Sequence, residues 1–408
     1  MWPVVLEGRW LGADGSRTYA ATHPASVLEG GAEALAELPS WITRHAQQYP
    51  LGAAIGFLSY ELARFFEILP VVPDESVPDL SFAYYPCLEK LPRQNLASPQ
   101  VEPLRPEVAQ AYFDEPRFTQ GVDKIREYIA AGDIYQANLT HTVTVRMGGT
   151  SPEAVYRRLA PGRAMFRALL KSPQRTIISN SPERFFCISG GRLLASPIKG
   201  TMARSGDPLE DKQRVARLLA SDKDRAENVM IVDLLRNDLG RICRYASIGV
   251  RLWEVEPLPH LFHLVSHVQG TLRPTVGLLE ILRALFPCGS VTGAPKIRAM
   301  EILAEIEGQP RGVSMGAIGI IRGAPGTSQF AMDFNVAIRT MLVRGDTAVF
   351  NVGGGIVYDS QPRAEFEEMM LKAQPLLEAL DAGPLPEPRV VQACAQGLVE
   401  DYGSPDLS

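Results

Sequence analysis

The feature that most constrains the fold of this chain is the order of its strand-like and helical segments. Strand-like composition marks residues 134–146, 316–322, 334–340 and 347–352, and helical spacing of apolar side chains marks residues 119–131 and 364–380. These segments are mixed without the regular alternation of strand, helix and strand that a parallel sheet requires. The sequence therefore predicts an α+β fold.

Two further helical segments are predicted from the residues at their ends. Pro295 suits the first turn of a helix over residues 296–307, and Gly308 suits its end because glycine tolerates a left-handed backbone. A longer helical pattern covers residues 211–239, and Ser221 is the place where it could break. Both segments carry charged side chains that bear on function.

Segments without periodicity indicate how the chain is divided. Residues 92–116 are rich in Pro, Gln and Ser, which predicts a surface connection. We therefore expect an N-terminal region over residues 1–105 that packs on a main domain over residues 115–380. Residues 381–408 contain Pro and Gly and are predicted to form a loose C-terminal tail.

The overall charge and the scattered cysteines argue against several classes of protein. Lys and Arg number 41 and Asp and Glu number 46, and the resulting net charge of −5 argues against nucleic-acid binding. No apolar stretch is long enough to span a bilayer, and the first residues do not resemble a signal peptide. Five widely spaced cysteines predict reduced thiols in a cytoplasmic protein: Cys87, Cys187, Cys243, Cys288 and Cys394.

Two predicted helices each carry a pair of carboxylates three residues apart. The pairs are Asp224 with Glu227 and Glu365 with Glu368, and this spacing puts both members of a pair on one helix face. Magnesium prefers a few carboxylates and completes its shell with water and substrate oxygens. Two such helices facing each other would form a magnesium site, but spacing alone favours the simpler alternative of two solvated acidic faces.

Other residues could bind an anionic substrate. Arg339 and Lys372 are cationic, and the backbone amides of Gly353, Gly354 and Gly355 could approach a carboxylate closely because glycine has no side chain. Each has a more ordinary interpretation, since a triple glycine is more often a tight turn and an arginine at a strand end is more often a surface residue. The residues alone leave both alternatives open.

Three more residues are candidates for chemistry. Lys199 lies in a short apolar strand, where a lysine either reaches the surface or is buried as a nucleophile or base. Glu183 precedes two phenylalanines and could be a carboxylic acid kept protonated by burial, or a carboxylate in a structural ion pair. His263 lies in an apolar run and is by default a core histidine with satisfied hydrogen bonds.

Several segments, in order along the chain, resemble the chorismate-utilising enzymes, a family that includes anthranilate synthase component I and the isochorismate synthases. The resemblance covers residues 118–373 and, less distinctly, the first 90 residues. Its motifs are GDIYQANL at 132–139, NSPERF at 180–185, PIKGT at 197–201, ENVMIVDLLRND at 227–238, SVTGAPKIRAM at 290–300, AIRT at 337–340 and GGGIVYD at 353–359. So many long motifs in one order make the signal specific.

The resemblance implies a fold and a set of site residues. The family fold is a sandwich of two antiparallel sheets with outer helices, and residues 115–380 would be its chorismate-binding catalytic domain. By motif position, Glu227 and Glu368 would bind Mg²⁺, with Asp224 and Glu365 contacting metal-bound water. Residues implied in substrate binding are Arg339, Lys372, Gly353, Gly354, Gly355, Thr292, His263 and Gly200.

Within the family, Lys199 makes the chain most similar to aminodeoxychorismate synthase component I, because anthranilate synthases usually carry alanine there. The similarity implies that Lys199 attacks the ring, that Glu183 assists departure of the hydroxyl, and that ammonia replaces it to give 4-amino-4-deoxychorismate for p-aminobenzoate and folate. None of the cysteines lies in a glutaminase motif, so a partner glutamine amidotransferase would supply the ammonia. The alternatives are anthranilate synthase component I, a salicylate or isochorismate synthase, and an inactive chorismate-binding subunit.

Two departures from the family pattern affect these expectations. Many relatives carry an aromatic residue in the segment where this chain has Ser314, which leaves the role of that position open. The stretch Leu6-Glu7-Gly8 lacks the Leu-Leu-Glu-Ser sequence associated with feedback by tryptophan. We therefore expect no inhibition by tryptophan.

Overall fold

A computed structural model describes residues 2–12, 17–92, 114–159, 165–258, 261–323 and 330–380. The strands, β1 to β19 in chain order, are Val4–Gly8, Arg17–Ala21, Ser26–Gly30, Ala53–Leu58, Leu80–Tyr85, Glu89–Pro92, Gln136–Arg146, Phe166–Lys171, Thr176–Ser181, Arg184–Ser189, Arg192–Ser196, Ile198–Ala203, Gly249–Pro257, Leu261–Thr271, Gly293–Ala294, Ala317–Gly323, Phe330–Val336, Thr340–Arg344 and Thr347–Ile356. The α-helices, α1 to α8, are Ala32–Gln48, Glu115–Ala130, Pro152–Arg158, Pro208–Leu219, Asp222–Gly240, Leu278–Leu285, Lys296–Glu307 and Pro362–Leu380. The predicted tail over residues 381–408, Cys394, and nearly all of the predicted connection lie outside the described residues.

The strands form two sheets. Sheet 1 has the order β15-β7-β19-β18-β9-β8-β1-β2-β6, and sheet 2 has the order β12-β14-β11-β10-β17-β16-β4-β5-β3, with β13 also paired to β14. Each described strand pairing is antiparallel, for example β7 with β19 and β12 with β14. The predicted α+β fold is therefore confirmed.

Alternating side chains on the strands divide the interior into layers. In β9, Ile177 belongs to an apolar cluster shared by both sheets, whereas Ile178 packs with helices α2, α7 and α8 on the outer face of sheet 1. In β18, Leu342 and Met341 are divided in the same way. A third cluster joins sheet 2 to α1, α5 and α6. Such alternation is what strand geometry demands when a sheet is covered on both faces.

The N-terminal residues contribute strands to both sheets. In sheet 1, β1 pairs with β8, and in sheet 2, β4 pairs with β16. The division at residues 105 and 115 stays a prediction. No helix in the described part of the chain is long and apolar enough to cross a membrane.

The predicted helices agree with the structure more closely than the predicted strands do. The pattern over residues 211–239 forms two helices, α4 and α5, because the Ser221 side chain accepts a hydrogen bond from the Asp224 N–H and caps the second. Gly308 ends α7 in the left-handed conformation, as predicted. The strand predicted over residues 334–340 is confirmed only at its ends: β17 ends at Val336, β18 begins at Thr340, and Arg339 between them has φ of 49°.

Candidate active site

A cavity of about 480 Å³ opens between the two sheets and is bounded by β19, β12, β14, α5 and α8. Twelve of the fourteen predicted site residues line it: Glu183, Lys199, Gly200, Asp224, Glu227, His263, Arg339, Gly353, Gly355, Glu365, Glu368 and Lys372. They come from motifs as far apart as residues 183 and 372, so the fold gathers residues that the sequence separates.

The other two predicted residues lie behind the cavity wall. Thr292 has no exposed surface, and its hydroxyl donates to the carbonyl oxygens of Cys288 and Gly289, each at 3.2 Å. Gly354 lies on the face of strand β19 opposite to that of Gly353 and Gly355. A Cβ atom added to Gly354 would lie 3.3 Å from Lys372 Nζ. Both residues support the wall, and neither lines the cavity directly.

Helices α5 and α8 bring their acidic faces to the same cavity. Glu227 and Asp224 come from α5, while Glu368 and Glu365 come from α8. The Ser360 hydroxyl donates to Glu365 Oε1 at 2.7 Å, which orients this carboxylate at the start of α8. The two i, i+3 pairs are therefore not two separate solvated faces, which was the simpler alternative.

Lysines contact these carboxylates within the cavity. Lys199 Nζ lies 3.2 Å from Glu227 Oε2, and both side chains are about five-sixths buried, with exposures of 16% and 15%. Lys372 Nζ lies 2.8 Å from Glu368 Oε1 and also donates to the Gly353 carbonyl oxygen at 3.0 Å. Burial would raise the pKa of Glu368, but Lys372, with Lys223 and Lys199, holds it below its usual range. The Glu368 carboxylate is therefore held as an anion beside positive charge.

The donor set suits magnesium better than a metal that needs a protein cage. Among the described residues, no three His, Cys, Asp or Glu side chains are close enough together to hold a metal ion. Magnesium keeps several waters and is usually bound through one or two carboxylates with substrate oxygens. Glu227 and Glu368, one from each helix, match that requirement, and their oxygen ligands do not favour zinc.

The lysine strand is held close to helix α5. Lys199 lies on β12, and the next residue, Gly200, has φ of 85°. A side chain at Gly200 would begin 3.1 Å from the Asp224 carboxyl carbon, so glycine is needed for this close approach. This close approach leaves Lys199 in the cavity wall beside the α5 carboxylates.

Glu183 lies in the tight turn between β9 and β10 and is 5% exposed. Burial raises its pKa to about 7, although hydrogen bonds from Ser290 and the Ile198 N–H and the charge of Lys199 oppose the rise. Within the described residues, Glu183 Oε1 has no hydrogen-bond partner. A carboxyl group in this setting can hold a proton near neutral pH and present it to the cavity.

His263 is a neutral histidine on the β14 wall of the cavity. Burial, and then the charge of Arg339, lowers its pKa to about 4, although a hydrogen bond with the Gly200 backbone opposes this. Its Nδ1 lies 2.9 Å from the Thr201 hydroxyl oxygen, whereas Nε2 is buried and has no hydrogen-bond partner in the described part of the chain. Unlike a core histidine with satisfied hydrogen bonds, it offers a polar ring atom to the site.

Some cavity residues were not singled out from the sequence. Ser290, two positions after Cys288, forms a hydrogen bond with the Glu183 side chain. Lys223 Nζ lies 4.0 Å from Glu227 Oε1. Ser290 lies inside a motif that had been noted only for its resemblance and its helix start. A serine facing a glutamate 107 positions earlier leaves no local pattern, so only the three-dimensional structure identifies it.

Ser314, where many relatives carry an aromatic residue, is 5% exposed and bonds to strand β19. Its hydroxyl accepts a hydrogen bond from the Asn351 N–H at 3.0 Å and lies 3.4 Å from the Asn351 carbonyl oxygen. Asn351 itself lines the cavity. Ser314 thus supports the cavity wall through the backbone.

Comparison with known proteins agrees with the predicted resemblance. Aminodeoxychorismate synthase component 1 of Escherichia coli (strain K12) is 34% identical over 390 residues, which cover 90% of this chain and 84% of the relative. The protein of that name from Bacillus subtilis (strain 168) is 33% identical, covering 91% and 86%. Anthranilate synthase component 1 of Streptomyces coelicolor is 34% identical, covering 89% and 80%.

The fold comparison agrees as well. Anthranilate synthase component I from Streptococcus pneumoniae TIGR4 superimposes with a TM-score of 0.75 at 27% identity, covering 89% of this chain and 92% of that one. The predicted sandwich of antiparallel sheets is confirmed. A family model described as chorismate binding enzyme matches residues 9–378. The chain is therefore a member of the chorismate-binding enzyme family.

Proposed function

We propose that this chorismate-utilising enzyme is an aminodeoxychorismate synthase component I, which replaces the ring hydroxyl of chorismate with ammonia to give 4-amino-4-deoxychorismate. The observation that carries the proposal is the cavity that holds an amine, Lys199, and a buried carboxyl group, Glu183, beside the α5 and α8 carboxylates. The product would serve p-aminobenzoate and folate synthesis.

The cationic and amide groups of the cavity would bind the substrate. Chorismate is a dicarboxylate, and Arg339, Lys372 and the amides of Gly353 and Gly355 offer positive charge and N–H donors to it. Glu227 and Glu368 would hold Mg²⁺, with Asp224 and Glu365 beside it. The metal ion would supply positive charge that polarises a substrate carboxylate.

The reaction would proceed in two displacements. The neutral amine of Lys199 attacks C2 of the ring, both ring double bonds shift by one position, and the C4–O bond breaks as the hydroxyl takes the proton of Glu183 and leaves as water. Ammonia then attacks C4, both double bonds shift back, and the C2–N bond to Lys199 breaks. The carboxylate of Glu183 regains a proton from the nitrogen that has become cationic, so the net change is exchange of water for ammonia.

The second candidate is anthranilate synthase component I, because relatives of that name match at the same identity. The two reactions differ in the atom attacked by nitrogen and in loss of pyruvate. An enzyme that adds ammonia directly at C2 has no use for an amine beside that carbon. Lys199 on the cavity wall therefore favours amination at C4.

One assay tests the proposal. The purified chain is incubated with chorismate, Mg²⁺ and ammonium, and the product is identified by mass and by conversion to p-aminobenzoate with an aminodeoxychorismate lyase. We expect 4-amino-4-deoxychorismate and no pyruvate before the lyase is added. Anthranilate, isochorismate or salicylate as the main product would reject the proposal. The glutamine amidotransferase partner and the cytoplasmic location stay predictions.

A further inference from the structure

Helix α5 presents different residues to the cavity and to the sheet behind it. Asp224 and Glu227 line the cavity, whereas their chain neighbours Arg225 and Asn228 contact strands β13 and β14. Asn228 has no exposed surface. Whatever holds Asn228 therefore also limits the movement of Glu227, one residue earlier on the same helical turn.

A β-bulge lies directly behind this turn. The register of β13 on β14 pairs Arg251 with His267 and Glu254 with Val265, so Leu252 and Trp253 together oppose the single residue Ser266. Trp253 has φ of 58°, a conformation that bulky residues rarely adopt. Such a backbone persists only where its surroundings hold it, and it often lies near a functional site.

Three contacts join the bulge to the helix. The Trp253 N–H donates to Ser266 Oγ at 3.1 Å, and the Ser266 hydroxyl donates to Asn228 Oδ1 at 2.5 Å. The guanidinium carbon of Arg225 lies 4.0 Å from the centre of the Trp253 ring. Ser266 has no exposed surface, so water does not compete for its bonds. We call Trp253, Ser266 and Asn228 the Ser266 cluster.

Ser266 also contacts the strand that carries Lys199. Its backbone N–H donates to the Pro197 carbonyl oxygen at 3.1 Å, two residues before Lys199. One buried serine thus contacts the bulge, the helix of Glu227 and the start of the lysine strand. Rigid support of this kind fixes metal-binding side chains and is costly to lose.

We propose that Ser266 and Asn228 are positioning residues that set the location of the Glu227 carboxylate for divalent-cation binding, with the Trp253 bulge placing the Ser266 hydroxyl. This inference rests on the proposed magnesium role of Glu227. It predicts that breaking the Ser266–Asn228 bond weakens Mg²⁺ binding more than it weakens chorismate binding, because the proposed substrate contacts at Gly353 and Gly355 lie on another strand, β19. A merely structural role would lower stability and leave the Mg²⁺ affinity unchanged.

The test measures Mg²⁺ binding by isothermal titration calorimetry without chorismate, together with KM for Mg²⁺ and for chorismate. We expect Ser266→Ala to raise the Mg²⁺ Kd up to about tenfold, the lower end of the loss seen when a group bonded directly to a metal ligand is removed, because Ser266 acts on Glu227 through Asn228 and the helix backbone. Asn228→Ala removes the same hydrogen bond by deleting its acceptor on helix α5, and it should raise the Mg²⁺ Kd by a similar factor. The Mg²⁺ Kd of the double variant should be no higher than that of the weaker-binding single variant, because the two residues act through one hydrogen bond.

Ser247→Ala is the matched control, because Ser247 Oγ accepts the Thr271 N–H at 3.2 Å at the far end of β14. It should lower Tm without changing the Mg²⁺ Kd. If Ser266→Ala does not fold, Asn228→Ala decides the question.

Folded variants with the wild-type Kd would overturn the inference. Titration of the wild type comes first: absence of Mg²⁺ binding there rejects the proposed metal role and the inference with it. Wild-type binding with unchanged variants rejects the inference alone.

Discussion

Lys199 and Glu183 reach the cavity with different surroundings. Lys199 Nζ lies 3.2 Å from Glu227 Oε2, whereas Glu183 keeps one oxygen without a partner within the described residues. The charge of Lys199 acts on Glu183, and burial of Glu183 outweighs that attraction. An amine and a proton-bearing carboxyl group facing one cavity are what displacement of a hydroxyl by a nucleophile requires.

The first residue-scale prediction concerns Lys199. Lys199→Ala should reduce amination of chorismate at least about a hundredfold, since loss of a nucleophile removes the covalent route entirely. Chorismate binding should stay within a few-fold, because the proposed carboxylate contacts lie on other elements. Amination rates and equilibrium binding of chorismate measure the two effects separately.

Wild-type enzyme denatured with acid during turnover should show chorismate-derived mass on the peptide that contains Lys199. Full synthesis of 4-amino-4-deoxychorismate by Lys199→Ala would reject the nucleophile role. Family membership would be unaffected, since it does not depend on that residue.

The second prediction is a pH dependence set by Glu183. With a pKa of about 7 in the folded chain, its protonated fraction falls from about half at pH 7 to about one in ten at pH 8. If this form is the acid, kcat/KM expressed per concentration of free ammonia should fall about fivefold from pH 7 to pH 8 and about tenfold for each further pH unit. Glu183→Gln should be slower, with no such decline.

The same carboxyl group should affect stability. Its folded pKa lies above the ordinary value of 4.5, so the folded chain holds a proton that the unfolded chain releases between pH 4.5 and about 7. Stability therefore falls as pH rises through this window. Urea titrations at several pH values measure this effect as the unfolding free energy of Glu183→Gln minus that of wild type. The difference should grow by up to about 3 kcal/mol as the pH rises from 4.5 to about 7. A difference that does not change with pH would contradict the assigned pKa.

At the scale of elements, α5 and α8 are the two supports of the proposed metal site. α5 begins at a serine cap, and α8 begins with Pro362 and fixes Glu365 through Ser360. Apolar side chains, rather than the acidic pairs, account for most of the packing of α5 and α8. Glu365 is the buried member of the pairs, so the other three carboxylates can serve binding at little cost to the fold.

Neighbouring glutamates on α8 provide a matched test. Glu368→Ala should weaken Mg²⁺ binding at least tenfold, because its carboxylate lies in the cavity beside Lys372. Glu367→Ala should leave binding unchanged, since that side chain is not among those that line the cavity and pairs with Arg363 instead. Calorimetric titration of both variants measures the difference, and equal losses would mean that general acidity of the helix is responsible.

The helices and strands also show which parts of the fold sequence patterns can predict. Ends marked by glycine, proline or serine were predictable, as for α7 and for the break at Ser221, because capping is local chemistry. Strand β14 was not predicted, because burial on both faces removes the alternation that identifies a strand. The wrong extension of a strand through Arg339 has a related cause. The residues after Val336 are still of types common in strands, and only the packing of the folded chain gives Arg339 its positive φ.

At the scale of the whole molecule, the site depends on strands and helices distant in sequence. The carboxylate pairs, Lys199 and the glycines could be named from motifs, and their resemblance to a family supplied the roles. Residue types alone favoured surface positions for Lys199 and for both acidic pairs, because no local pattern encodes which faces meet. The Ser290 hydrogen bond to Glu183 and the Ser266 cluster form only when distant segments of the chain pack together.

The last prediction is that the isolated chain uses ammonium but not glutamine. Hydrolysis of glutamine needs a reactive nucleophile, and among the described cysteines Cys288 lies next to the cavity wall, where its sulfur is 3.3 Å from the Ser290 hydroxyl. Burial and the neighbouring Glu183 raise the pKa of this thiol to about 12, so about one molecule in 100,000 carries a thiolate at pH 7. No such group can attack an amide at a useful rate. We expect no product with glutamine alone and full activity of Cys288→Ala with ammonium. Turnover with glutamine, in a preparation that mass spectrometry shows to be free of amidotransferase, would contradict the need for a partner.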